Sequence, residues 1–161
     1  MKLSSVYRIE AADKADIENF FLQYWGSGLI ITRGRKYTPA DVCGFKMVEE
    51  GKTIGLISYA INGDECEIVS LNSVSESKGV GSALLEKVIQ TASDAKLKRV
   101  YLITTNDNCK ALRFYQKRGF GIKAVYLYAV RRSRKLKPEI PLIGFNNIPV
   151  EHEIELEYLT E

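Results

Sequence analysis

The sequence predicts a mixed α/β fold, one central sheet with helices on its faces. Three observations carry this reading. Residues 45–74 read as three strands joined by tight turns, the second half alternates strands with amphipathic helices, and 161 residues fit a single domain, 1–161. A hairpin-rich half joined to βα units requires both antiparallel and parallel neighbours in one sheet.

The elements follow in order. After a first strand, residues 13–25 form a helix, with Ile17, Phe20, Phe21 and Tyr24 recurring at i, i+3, i+4 and i+7. Asp13 suits its N-cap, and Gly26-Ser27-Gly28 stops it. Residues 29–44, interrupted by Gly34, Pro39 and Gly44, read as a short extended piece followed by a loop. Strands at 45–49, 53–61 and 65–74 turn at Glu50-Gly51 and Asn62-Gly63-Asp64. A helix over 81–95 places Leu84, Leu85, Val88, Ile89 and Ala92 on one face. A strand at 99–105, a helix over 108–118 and a long apolar-rich strand at 120–130 come next. The basic stretch 131–137 makes a helical turn or two before Pro138. Glu153, Glu155 and Glu157 alternate with Ile154, Leu156 and Tyr158, the pattern of a half-buried closing strand.

Composition narrows the function. Hydrophobic residues at 45% and charged residues at 27% describe a soluble globular chain. The net charge of +3 is too small to argue for nucleic acid, so no nucleic-acid partner is expected, and Arg131, Arg132, Arg134, Lys135 and Lys137 read as a solvated helix face. Cys43, Cys66 and Cys109 form no paired motif, which points to a reducing compartment. With His152 the single histidine, neither a histidine-based zinc cluster nor a Ser-His-Asp triad is expected, and no metal is assigned. No apolar run approaches the roughly 18 residues of a membrane span, so the expectation is a cytoplasmic protein without a membrane partner.

The strongest chemical signal is a strand that runs through Ser77-Lys78-Gly79-Val80-Gly81 into an amphipathic helix. A helix N-terminus carries unpaired N–H groups and partial positive charge, and glycines let a phosphate approach them. No Gly-Lys-Ser/Thr follows and the third glycine of a dinucleotide fingerprint is missing. Taken alone, the turn is equally an ordinary strand-to-helix connection. The second signal is the helix beginning at Asn108, where Asn108, Ala111, Leu112 and Tyr115 share a face. Taken alone, it reads as a core helix with a buried tyrosine.

Together, and in this order, Glu76-Ser77-Lys78-Gly79-Val80-Gly81 and the Asn-x-x-Ala-x-x-Phe-Tyr-x-x-x-Gly-Phe pattern from Asn108 to Phe120 resemble the GCN5-related N-acetyltransferase (GNAT) superfamily. The resemblance covers residues 53–130 best and leaves 131–161 as a C-terminal extension. It departs at Glu76, where the family has Arg or Gln. It implies a mostly antiparallel sheet with one splayed parallel strand pair, helices on both faces, and acetyl-CoA as co-substrate in the gap. It implies that backbone groups of Val69 and Leu71 bind the pantetheine arm. By the same resemblance, Ser77, Lys78, Gly79, Val80, Gly81, Ser82 and Ala83 are expected to hold the pyrophosphate, Asn108 to bond the pantetheine, and Tyr115 to sit near the sulfur. The acceptor is a small-molecule or protein amine. Residues 137–144 match a signature of one branch of the family, with the acceptor pocket or a homodimer contact as their two roles.

Acetyl transfer needs a deprotonated amine, a polarised carbonyl and a proton for the departing thiolate. Tyr115 suits the proton donor. Cys66 points away from Glu65 and Glu67, so direct attack in a ternary complex is expected rather than an acyl-cysteine. Glu67 is the first candidate for the base and Glu65 the second, both on the strand face shared with Val69 and Leu71. A binding module that senses acyl-CoA without catalysis is the alternative. Tyr24, Trp25 and Tyr37 are candidates for the acceptor site, with core packing the plainer role for Trp25.

Overall fold

The computed structural model describes residues 7–74 and 79–160. The expectations for Ser77 and Lys78, and the departure at Glu76, fall outside the described residues. A seven-stranded sheet runs in the order β1-β4-β5-β6-β7-β9-β8. Its strands are β1 (Tyr7–Ala11), β4 (Cys43–Glu49), β5 (Lys52–Asn62), β6 (Glu65–Ser73), β7 (Arg99–Thr105), β8 (Gly121–Tyr126) and β9 (Glu153–Leu159). Every neighbour is antiparallel except β6 and β7, the parallel pair. The mixed, mostly antiparallel sheet expected from the sequence is the one observed.

Helices cover both faces. On one lies α1 (Lys14–Trp25), started by a reciprocal Asp13–Asp16 capping box and ended by left-handed Gly26. Its Ile17, Phe20 and Phe21 pack on Leu56, Ala60 and Val69. On the other lie α2 (Val80–Asp94) and α3 (Cys109–Gln116), whose Leu84, Leu85, Val88 and Tyr115 close over Ile57, Ile68, Val100 and Leu156. Apolar residues from both helices and sheet form a close-packed core, the main stabilising term.

Four local expectations need correction. Residues 29–44 contain a hairpin, β2 (Ile30–Thr32) and β3 (Arg35–Tyr37), turned by Arg33 and Gly34 at φ of 49° and 75°. The strand expected over 120–130 stops at Tyr126. Tyr128 is left-handed, its N–H donates to Nδ1 of His152 at 2.8 Å, and α4 (Ala129–Leu136) follows with Ala129, Val130 and Ser133 buried. Apolar residues alone did not distinguish strand from helix there. Nor is β9 half-buried by alternation, since Glu153 to Leu156 are all buried. It lies between β7 and β8, with Glu153 and Glu155 at 4% and 8% exposure. Arg99 reaches Glu155 at 2.7 Å, Glu157 at 2.9 Å and Glu65 at 3.0 Å, which compensates Glu155, while Glu153 accepts the Arg33 N–H at 3.0 Å.

The fourth correction sets up the site. The β5–β6 register shifts between Ser58 and Tyr59, so Val69 is an extra residue on β6. Val69 stays on the α1 side, but Leu71 packs on the α2 side. The face shared by Glu67 and Val69 therefore does not extend to Leu71.

Candidate active site

The bulge bends β6 away from its parallel neighbour. Pairing with β7 runs from Glu65↔Arg99 to Ile68↔Leu102 and stops, although β6 continues to Ser73 and β7 to Thr105. Beyond Ile68 the facing backbone edges part, opening a cleft of about 750 Å³. An opened strand edge carries unpaired N–H and C=O groups that can take an extended ligand as an added strand. Val69, Leu71, Gly79, Gly81, Ser82, Asn108 and Tyr115 all line this cleft. A second hollow, of about 840 Å³ between α2 and β8, is lined by Ile89, Ser93, Ile122 and Glu157 and touches the two motifs only at Gly119, the turn after α3.

Gly79 caps α2 at φ +73°, a conformation costly to residues with a Cβ. The N–H of Ala83 bonds to the carbonyl of Gly79 at 3.1 Å, inside the helix. The first-turn amides of Val80, Gly81 and Ser82 are those that helix geometry leaves for a phosphate. Lys110, Arg113, Lys117 and Arg118 of α3 and its C-terminal turn line the same cleft. Arg118 donates to the Ser82 hydroxyl at 2.9 Å and lies over the Phe114 ring at 3.7 Å.

Asn108 is the α3 N-cap, its side-chain oxygen accepting from the Ala111 N–H at 3.1 Å. The carboxamide NH2 is therefore the end suited to a ligand carbonyl. Tyr115, 6% exposed, stands edge-on between Phe114 and Phe120. Burial raises its phenol above the ordinary value, so it stays protonated and keeps a proton to donate.

Glu67 is separated from the cleft lining. Its carboxylate, 2% exposed, lies under the β2–β3 hairpin and accepts the Thr32 hydroxyl on both oxygens, at 3.1 and 3.0 Å. Burial raises its pKa, opposed by hydrogen bonds from Thr32, Tyr37 and Tyr101. Glu65 instead pairs with Arg99. Burial pushes the Cys66 thiol up to about 12, which leaves it a poor nucleophile, as its position opposite Glu67 suggests. Trp25 is not a core residue. It is 40% exposed at the cleft beside Tyr24, its indole N–H on the Asn72 side-chain oxygen at 3.2 Å. Tyr37 is buried beside Glu67 and does not line the cleft.

Phe145 also lines the cleft, and sequence reasoning missed it. A lone phenylalanine beyond a proline-rich loop has no periodicity to mark it. Two basic residues of the 131–137 run serve the fold. Arg134 donates to the carbonyls of Ile140, Pro141 and Val150, and Lys137 to those of Trp25 and Leu29.

The profile of the acetyltransferase (GNAT) family matches residues 6–120, beginning well before the motif-rich stretch. The chain belongs to the GNAT acetyltransferase family. It is 43% identical over 141 residues to YxbD of Bacillus subtilis, covering 87% of this chain and 89% of that one. Among solved structures it resembles an IAA acetyltransferase from Bacillus cereus, with TM-score 0.74, 19% identity, and 95% and 99% of the two chains covered. It also resembles a GNAT acetyltransferase from Elizabethkingia anophelis with acetyl-CoA bound, with TM-score 0.70, 19% identity, and coverage of 97% and 99%. As a GNAT acetyltransferase the protein takes acetyl-CoA as co-substrate. The cleft fits that molecule: an opened strand edge for the pantetheine, and a glycine-capped helix start with cationic side chains for the phosphates. No helix of the described residues is long and apolar enough to cross a membrane, and they contain no group of three metal-ligating side chains.

Proposed function

We propose that this GNAT protein transfers an acetyl group to a primary amine by direct attack in a ternary complex, within a single domain. The observation that carries the reading is the parting of β6 from β7 after Ile68, with Tyr115, Asn108 and the Gly79–Gly81 turn converging on the gap. Backbone groups of Val69 and Leu71 hold the pantetheine and polarise the thioester carbonyl. Val80, Gly81 and Ser82, with Ser77 and Lys78 before them, hold the pyrophosphate. The Asn108 NH2 bonds the pantetheine, and Tyr115 donates toward the departing sulfur. Glu67 accepts the amine proton through a bridging hydroxyl or water, since its carboxylate is buried beneath Thr32.

Thermal denaturation with acetyl-CoA tests the binding half. Wild type should melt higher with ligand by mass action, and Gly81→Val should lose that shift, because its side chain grows from a Cβ already 3.4 Å from Phe114. No shift in wild type at millimolar acetyl-CoA removes the proposal. A shift without thiol release against any amine leaves the sensor reading in its place.

A further inference from the structure

The cleft is lined by two chemically different sets of side chains. Its charged lining residues among those described are Lys110, Arg113, Lys117 and Arg118, all cationic and all on α3 or its C-terminal turn, and Arg118 reaches Ser82 in the first turn of α2. The lining also presents Tyr24, Trp25 and Phe145, and no Asp or Glu lines the cleft among the described residues.

Two of those residues, Trp25 and Phe145, are exposed on firmly held backbone, and Tyr24 is half-buried beside Phe20. Phe145 is 63% exposed at the tip of a tight loop closed by Gly144 N–H to Ile148 carbonyl at 2.8 Å and Val150 N–H to Leu142 carbonyl at 2.9 Å. Asn146 and Asn147 turn the tip in left-handed conformations. The loop is pinned from below by Asp107, itself 3% exposed. One oxygen accepts the Phe145 N–H at 3.0 Å and the other the Thr105 hydroxyl at 2.5 Å. A Cβ on Gly144 would stand 2.0 Å from the Asp107 carboxylate and 2.6 Å from Val150, so only glycine seats the loop this deeply. On the opposite wall, buried Lys137 holds the Trp25 and Leu29 carbonyls at 3.3 and 2.8 Å. Two buried charges thus anchor the backbone of two exposed aromatic residues that line one cleft. Exposed aromatic surface on rigid anchors is the signature of a binding site.

We infer that Tyr24, Trp25 and Phe145 form the acceptor site and select a primary amine carried on an aromatic body, with Asp107 as the positioning residue for Phe145. The inference rests on the acetyl-transfer reading. The aromatic walls take the flat apolar part of the acceptor. A lining without carboxylates does not stabilise the ammonium, which favours the free amine, the nucleophilic form. A polyamine would meet repulsion from the cationic side chains. In the reaction the amine nitrogen bonds to the thioester carbonyl carbon, the C–S bond breaks, the nitrogen loses one proton and the thiolate gains one. The products are an N-acetyl amine and CoA.

Trp25 is the single tryptophan, so its fluorescence reports occupancy of this site directly. Wild-type protein saturated with CoA is titrated with 2-phenylethylamine, spermidine and ethanolamine, and thiol release from acetyl-CoA is measured with the same amines. The aromatic amine should give a saturable Trp25 change and a kcat/KM at least about tenfold above the other two. Phe145→Ala, at a largely exposed position, should raise its KM about tenfold while leaving kcat within a few-fold and the acetyl-CoA thermal shift intact. Asp107→Ala and Gly144→Ala should follow it. Equal or better turnover of spermidine or ethanolamine, an unmoved KM in Phe145→Ala, or no response to the aromatic amine with acetyl-CoA still binding each overturns the inference alone. Absence of any acetyl-CoA shift overturns it together with the acetyl-transfer reading.

Discussion

One hydroxyl, that of Thr32 on the β2–β3 hairpin, donates to both carboxylate oxygens of Glu67 on β6, 35 residues away in sequence. The pair closes a polar pocket under the hairpin with Tyr37 and Tyr101, and a carboxylate 2% exposed is held there. An isolated buried charge is costly, so such a group is either partnered or kept neutral.

Glu67 therefore has two testable signatures. As a base it acts only when ionised, so the acid limb of the pH–rate profile should lie above the usual carboxylate range and disappear in Glu67→Gln, with a rate loss of about 10²–10⁴. Its folded pKa is raised by burial, so the native state favours the protonated form. That stabilising contribution is full below the unfolded value of about 4.3 and is lost as pH rises through the folded value. Glu67→Gln should thus gain melting temperature relative to wild type between about pH 4 and neutrality. Parallel melting curves at all pH values would show that Glu67 ionises freely.

For Tyr115 the ring and the hydroxyl separate cleanly. Phe keeps the edge contacts with Phe114 and Phe120, near 5.0 and 5.3 Å between centroids, so Tyr115→Phe should fold with nearly the wild-type melting point. Loss of the donor should lower kcat by about 10²–10⁴ while KM for acetyl-CoA stays close to wild type. Steady-state kinetics with 2-phenylethylamine as the acceptor decide it, and full activity would return Tyr115 to a packing role.

Arg99 is the counter-charge for Glu65, Glu155 and Glu157, with side-chain exposure of 16%. Arg99→Met leaves those carboxylates uncompensated at the β7–β9 junction. The expected loss is about 3 kcal/mol by urea denaturation, the low end for breaking a buried pair, because Glu65 and Glu157 keep some solvent. A change under about 0.5 kcal/mol would mean that the cluster is screened like a surface one.

Lys137 links α4 to the end of α1. Burial lowers its pKa, yet its ammonium serves two backbone carbonyls. Lys137→Met should cost about 1–3 kcal/mol, the range for lost charged hydrogen bonds, and should shift Trp25 emission because the Trp25 carbonyl loses its donor. An unchanged emission spectrum would show that Lys137 does not position the tryptophan.

Much of the fold was legible because its signals are local. The α1 cap and stripe, the α2 stripe and the turns at Gly51 and Gly63 each depend on residues within a few positions of one another. Both motifs were legible for the same reason, since a helix start and its phosphate-facing amides occupy a handful of consecutive residues. The β8–α4 boundary was not. Tyr126 to Val130 satisfies either periodicity, and the break depends on His152, 24 residues from Tyr128.

The sequence by itself determined most of the helices and strands outside the β2–β3 hairpin and the β8–α4 boundary, the glycine-capped start of α2, the Asn108–Tyr115 face, and through them the family. Tertiary structure decided the rest. It inserted β9 between β7 and β8, so that Glu155 is buried against Arg99 and Glu153 under the Arg33 N–H instead of facing water. It placed the bulge at Val69, which turned Leu71 to the α2 side and parted β6 from β7. It also brought Phe145, through Asp107, to a cleft whose other wall is Trp25. Periodicity reports only how a residue relates to its own element. Strand partners, bulges and loop anchors are chosen by contacts between residues far apart in the chain, and their energies exist only once the sheet has assembled.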